Sequence, residues 1–334
     1  PKTTADLSEP NDDFFSDNYV SNETSYLQSA ALLADTTKKG GVYIGVGPEQ
    51  NFTYIALTEP EIAYIVDIRR DNIVLHLLYK ALFELADSRT EFLALLTARS
   101  FAKADDPGRD ASIEKVIAAI DAAEKTDLGP LHERVLARVE SYGVPLTAGD
   151  KRTLKEAHGA FAKDGLDLHF TLKENTFRKY PELRELIAAK DPQGKQLGFL
   201  ANDELFERVQ RMQRDNSIVP LVGNFAGDHA LPKLAEQLKR DGQTVSAYYV
   251  SNVEQYLMAD GLWWKWQRNI AALPTDDQSL FIRAYLDQGT AHPPQRAGHR
   301  TDTTLHRLED FNAREKPFAS MHALASADII AAAK

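Results

Sequence analysis

The sequence predicts an α/β protein: a mostly parallel sheet with helices on both faces and a large helical insertion. Three observations predict it. Short runs of β-branched and aromatic residues alternate with amphipathic segments. The first such run ends in a glycine-rich turn, "GVYIGVG". Residues 104–215 then read as helix throughout, with no strand-like run between them.

Each element follows in order. Residues 1–25 are polar, and "SEPNDDFFSDN" reads as an irregular arm carrying two aromatics. Ser25 to Ala34 is expected as a short helix. "GVYIGVG" and "EIAYIVDIRR" are the first two strands. From Ile73 to Leu85 the apolar positions Val74, Leu77, Leu78, Ala81, Leu82 and Leu85 keep helical spacing, with Asp71 or Asn72 as the cap. Within the helical stretch, "GPLHERVLARVESYG" has Pro130 in its first turn and Gly143 past its end. "YPELRELIAAKD" and "NDELFERVQRMQRD" repeat the amphipathic pattern, and no fixed period makes them a repeat array. Strands return at "SIVPLVGNFAG", "TVSAYYVSN" and "SLFIRAYL". The helix "DHALPKLAEQLKRDG", closed by Gly242, and a second helix with Trp263, Trp264 and Trp266 separate them. Residues 287–317 are polar, "HPPQRAGHR" is a loop, and "ASADIIAAAK" is expected as a small docking helix.

The alternation is Rossmann-like and divides the chain into five parts. These are an arm and possible lid (1–39), a first half-core with the glycine loop (40–100), the helical insertion or cap (101–215), a second half-core (216–290) and a polar loop with a terminal helix (291–334). In such sheets ligands sit beyond the carboxyl ends of the strands. That rule selects the loops after Ile44, Val66, Val222 and Val250.

Composition limits the partners. The 334 residues carry a net charge of -10. That argues against broad binding to nucleic acid or an anionic membrane, and points to a small-molecule or peptide partner. No apolar run is long enough to span a bilayer. The chain has no cysteine, which removes disulfides, thiolate metal sites and cysteine nucleophiles.

Gly45 and Gly47 fall where the first strand should turn into a helix. Lacking Cβ, they allow a sharp turn and close approach of a ligand. Asp67 ends the second strand, 20 residues on from Gly47, a spacing that suits a carboxylate accepting from ribose hydroxyls. Gln50 stands where a dinucleotide fingerprint has its third glycine, and Pro48 removes one N–H donor. Two readings stand: a cofactor loop, or structural glycines beside a solvated Asp67.

An octad recurs: "VSNETSYL" at 20–27 and "VSNVEQYL" at 250–257. Its bland reading is helix capping by Ser and Asn, with Tyr and Leu packed inward. Its functional reading places Asn252, Glu254 and Tyr256 in the pocket, joined by Asn224 of "PLVGN", with Glu254 as a base. Asn22, Glu23 and Tyr26 would cover the same mouth as a lid on the substrate side. Arg69 either meets an anionic group there or pairs with Asp71. His76 reads as a packed histidine. The seven-residue recurrence of His292, His299 and His306 is broken by Pro293 and Pro294, so no metal site is expected.

Gly40–Leu85 and, more loosely, Ile218–Leu286 resemble the class I S-adenosylmethionine-dependent methyltransferases, whose first loop is glycine-rich and whose second strand ends in an acid. More closely, "GVYIGVGPEQNFTYIA", "IVDIRRDN", "VPLVGNFAG" and "YYVSNVEQYL" look like a family of uncharacterised bacterial proteins with such a core. The resemblance implies that S-adenosylmethionine is the cofactor. It implies that Gly45 and Gly47 lie along the methionine moiety, Asp67 holds the ribose and Ile68 flanks the adenine, with Glu49, Gln50 and Asn51 bordering the loop. It further implies a cytoplasmic enzyme, or an exported protein if a signal peptide preceded Pro1. Two alternatives stand beside the methyltransferase: a non-catalytic ligand-binding protein on a degenerate version of the fold, and a nicotinamide-dependent oxidoreductase.

Overall fold

The computed structural model describes residues 2–12, 19–171, 179–286, 292, 294–314 and 317–330. Phe14 and Phe15 of the expected arm, Pro293 of the expected loop and the last four residues of the expected docking helix lie outside them.

The fold is α/β. Its sheet has six strands, β1 (Val42–Gly45), β2 (Ile62–Asp67), β3 (Ile218–Val222), β4 (Val245–Ser251), β5 (Leu280–Leu286) and β6 (Thr301–Arg307). They lie in the order β3-β2-β1-β4-β5-β6. The first five are mutually parallel; β6 runs antiparallel to β5. Successive residues of each strand face opposite ways, which splits the core in two. Tyr43, Ile65, Tyr249 and Ile282 enter one apolar cluster, while Ile44, Tyr64, Tyr248 and Phe281 enter the other. Helices therefore cover both faces. Pro220 lies in β3, an edge strand, where a residue without an N–H is tolerated.

Among the described residues, seven α-helices lie between β2 and β3: Arg70–Leu85, Arg89–Leu96, Ile113–Ala122, Leu128–Glu140, Ala148–Asp164, Leu183–Ile187 and Asp203–Arg214. Local chemistry sets their ends. Asn202 accepts from the Leu205 N–H at 3.0 Å, and Thr147 with Asp150 forms a capping box. Val135, Leu154 and Phe161 from these helices share one cluster with Tyr43 and Ile65 of the sheet. The helical stretch and the sheet are thus packed on a common core.

Four expectations are corrected. The arm begins with a helix, Lys2–Leu7, because Leu7 packs into the second cluster and Ser8 and Glu9 bond to the end of β3. The helix expected at 25–34 runs Ala30–Thr36, after a turn. The long helix after β2 starts at Arg70 with Arg69 as its cap, since Asp67 accepts from the Arg69 N–H at 3.0 Å and fixes the entry. The polar stretch 287–317 contains β6, and the tail contributes a helix at Met321–Ser326 plus a bridge from Ile329 to His306.

Candidate functional site

A cleft of about 490 Å³ opens at the carboxyl ends of the parallel strands. The loops after β1, β2, β3 and β4 all reach it. β1 and β4 are neighbours, and from them the chain order proceeds outward in opposite directions across the sheet. That is the crevice in which open α/β sheets hold their ligands.

The β1 loop is braced from inside. A Cβ on Gly45 would stand 2.0 Å from Asn51 Oδ1 and 2.7 Å from the Tyr43 ring, so no larger residue fits. Asn51 occupies that space. Its amide donates to the carbonyls of Val46 (2.9 Å), Gly47 (3.2 Å) and Pro48 (2.8 Å) and accepts from the Tyr43 hydroxyl (2.9 Å). Gly45 and Asn51 therefore shape the loop and do not line the cleft. Gly47 does line it, at φ +79°, and a Cβ there would meet nothing within 4 Å. His76 Nε2 lies 2.9 Å from the Gly47 carbonyl. Burial lowers His76 to about 4, so the ring is neutral at pH 7 and Nε2–H donates.

Asp67, Ile68 and Arg69 line the next wall. Asp67 Oδ1 accepts from the Arg69 backbone N–H (3.0 Å) and Nε (3.1 Å), and Oδ2 accepts from Nη2 (3.1 Å). The predicted partner Asp71 is bonded instead by the Thr153 hydroxyl at 3.2 Å. A carboxylate has about four lone-pair sites, so Asp67 keeps acceptor capacity on Oδ2.

The two octads meet at the floor. Glu23 Oε1 accepts from the hydroxyls of Tyr249 (2.8 Å) and Ser251 (2.5 Å), and Oε2 accepts from Gln50 Nε2 (2.8 Å). Glu23 is 1% exposed, and burial pushes its carboxyl above the ordinary range. Gln50 also bonds Tyr54 and Ser21, and Glu49 accepts from the Ser21 N–H at 3.1 Å. Burial raises Glu49 to about 7. Glu49 and Gln50 stand behind the floor. Tyr26 does too, its hydroxyl donating to the Leu186 carbonyl at 2.8 Å. Of the three residues predicted from the first octad, Asn22 and Glu23 line the cleft, beside Val20 and Ser21, and Tyr26 does not.

Above the floor, β4 breaks its register with β5 between Tyr249 and Ser251, and Ser251 adopts φ +51°. This irregularity turns the chain so that Asn252 and Tyr256 line the cleft. Asn224 faces it from the β3 loop, its side chain accepting from the Ala226 N–H at 2.8 Å.

Glu254 is elsewhere. It is 0% exposed, and Arg283 donates to it through Nε (2.6 Å) and Nη2 (3.1 Å), with Trp266 Nε1 at 3.0 Å. With both oxygens held by Arg283 and none of the carboxylate at the cleft, the expectation of Glu254 as a base is corrected: it anchors the core. None of the three tryptophans lines the cleft; Trp264 is 60% exposed, and Trp266 stacks on Phe225. The spaced histidines each have their own partner: His292 with Asp302 (2.5 Å), His299 with Thr24 (3.0 Å) and His306 with Thr304 (2.8 Å).

Sequence reasoning missed Asp12, Phe170, Tyr180, Ser251 and Asp260 on the cleft walls. Ser251 was within reach, as a member of the octad. Phe170 and Tyr180, with rings 4.5 Å apart, come from the helical region through tertiary packing that leaves no local pattern.

No described helix is long and apolar enough to cross a membrane. No curated protein matches the chain. Residues 19–331 match a domain of unknown function (DUF7790), and with nearly all of its length inside that match the chain belongs to this family.

Proposed function

We propose that the cleft binds S-adenosylmethionine within a Rossmann-like core, and that the protein is a methyltransferase for a small-molecule or peptide acceptor. The observation that carries this reading is that Gly47, just after β1, and Asp67, at the end of the neighbouring strand β2, line the same cleft at the carboxyl ends of the strands. The residues fit an adenosyl ligand. The space over Gly47 is open, Asp67 keeps an acceptor site for a ribose hydroxyl, and Ile68 offers an apolar wall for adenine. The cleft volume falls within the usual range for small-molecule sites. When bound, the cofactor supplies an electrophilic methyl group on a sulfonium.

The chain's own residues supply position. Asn22, Asn224 and Asn252 present amides that orient an acceptor by donating or accepting hydrogen bonds. Tyr256 adds a phenol on the same wall. The absence of phosphate on the adenosyl ligand favours it over a dinucleotide. Pro48 withholds an N–H from the β1 loop, and Arg69, the one basic side chain among the described lining residues, is already engaged by Asp67.

Calorimetry with S-adenosylmethionine, S-adenosylhomocysteine and NADH tests the reading. The two adenosyl ligands are expected to bind and NADH is not. The Asp67→Ala variant should lose about tenfold in adenosyl affinity, the value of one charge-assisted hydrogen bond. Binding of NADH alone would replace the reading with an oxidoreductase. Binding of none would leave a non-catalytic ligand-binding protein.

A further inference from the structure

The cleft has a charge pattern that the methyltransferase reading does not use. Its walls hold Asp12, Glu23, Asp67 and Asp260 against a single arginine, Arg69, which Asp67 chelates. Glu23 is the unusual member. Three of the other buried acids are paired with guanidinium groups, Glu254 with Arg283, Asp67 with Arg69 and Asp150 with Arg70; Asp191, which does not line the cleft, is held by the backbone N–H groups of Gln193 and Lys195. Glu23 is as buried as these, yet its partners are two hydroxyls and an amide, all neutral. Glu49, next behind it, is likewise bonded by a backbone N–H. A carboxyl buried without a cation stays protonated by shifting its pKa, and it ionises where a bound ligand supplies the positive charge. Aromatic side chains complete the surroundings: Phe170, Tyr180 and Tyr256 line the same cleft. Such rings attract organic cations as well as enclosing apolar groups.

We infer that the ligand of this cleft carries an organic ammonium group, seated on the Glu23 carboxylate and walled by Phe170, Tyr180 and Tyr256. The inference rests on the cleft being the ligand site proposed above and concerns the ammonium alone, which an amine acceptor and the methionine moiety of S-adenosylmethionine both carry; it does not depend on methyl transfer. Burial alone pushes the Glu23 carboxyl up, and a cation within about 4–6 Å favours its charged form. Ligand and carboxylate therefore stabilise each other's charge. The three cleft amides, at Asn22, Asn224 and Asn252, offer carbonyl oxygens to the ammonium N–H groups.

The test compares two probes of one shape and different charge, n-hexylamine (protonated at pH 8) and hexan-1-ol, by calorimetry on the full chain. The ammonium is expected to bind at least tenfold more tightly. That preference should fall below threefold in Glu23→Gln, which keeps the shape of the side chain. Asp260→Asn, at the exposed rim, is the second variant and should lower the preference about twofold. Equal binding of the two probes, binding of neither, or a preference unchanged in Glu23→Gln would overturn the inference. Ammonium preference without S-adenosylmethionine binding would retire the methyltransferase reading and keep this one. S-adenosylmethionine binding without ammonium preference would do the reverse.

Discussion

Glu23 and Glu254 sit one position apart in two nearly matching octads, and their surroundings give them opposite work. Glu254 meets a guanidinium and an indole in the second core cluster; Glu23 meets hydroxyls and an amide under the cleft. The octad as written does not separate them, because the partners of each come from distant strands. Glu254→Ala leaves Arg283 buried and unpaired. It should cost roughly 3–5 kcal/mol, read as a lower urea midpoint. A loss under about 1 kcal/mol would mean that Arg283 finds another acceptor. The same limit applies at the loop. Gly47 and Asp67 were legible as cleft residues, since glycine before a helix and an acid after a strand have local meaning. Asn51 was not legible as a brace, because its role depends on the Tyr43 hydroxyl and three carbonyls folding around it.

At the scale of elements, β1 to β5 were legible because their runs of β-branched and aromatic residues are buried on both faces. β6 was not. Its sequence, "TDTTLHR", is polar, yet Thr301 to His306 are buried. Several of their polar atoms find partners from distant parts of the chain, Thr301 in Ser25 (2.8 Å) and the Thr303 carbonyl in Ser29 (2.5 Å). Hydrophobic patterning is silent about a strand satisfied in this way. The N-terminal helix was missed for a related reason: its attachment is made by polar groups. Glu9 donates its N–H to the Val222 carbonyl at 3.0 Å, and its carboxylate accepts from the Asn224 N–H. Glu9→Ala should release the β3 loop. Hydrogen exchange at the Asn224 amide is expected to quicken by an order of magnitude or more, while amides within β2 keep their protection. Unchanged exchange at Asn224 would show that Leu7 packing alone holds the arm.

For the whole molecule, buried titratable groups set opposing responses to pH. Burial lowers His76 and His158 to about 4 from the ordinary 6.5, so between those values the unfolded chain binds more protons than the folded one. Their contribution is full above pH 6.5 and is lost as pH falls toward 4. Glu49, raised by burial to about 7, works the other way. Its contribution is present below about 4.5 and lost as pH rises through 7. The two variants should therefore diverge. His158→Gln should make the urea midpoint rise less between pH 5 and pH 7, and Glu49→Gln should make it rise more. Matching slopes in both variants and the parent would show that neither group changes its protonation on folding.

The strand order also bears on how the molecule comes to exist. The central pairing, β1 with β4, joins Val42 to Val245, and β2 reaches β3 only across the long helical stretch between them. Helices close on local contacts within microseconds, whereas pairings between distant segments wait for long loops to close. The cleft is made of the ends of those distant strands, so it is assembled after most of the helix has formed. In refolding followed by circular dichroism and by ligand binding, helical signal should recover first, with binding trailing it as the sheet zips outward from β1.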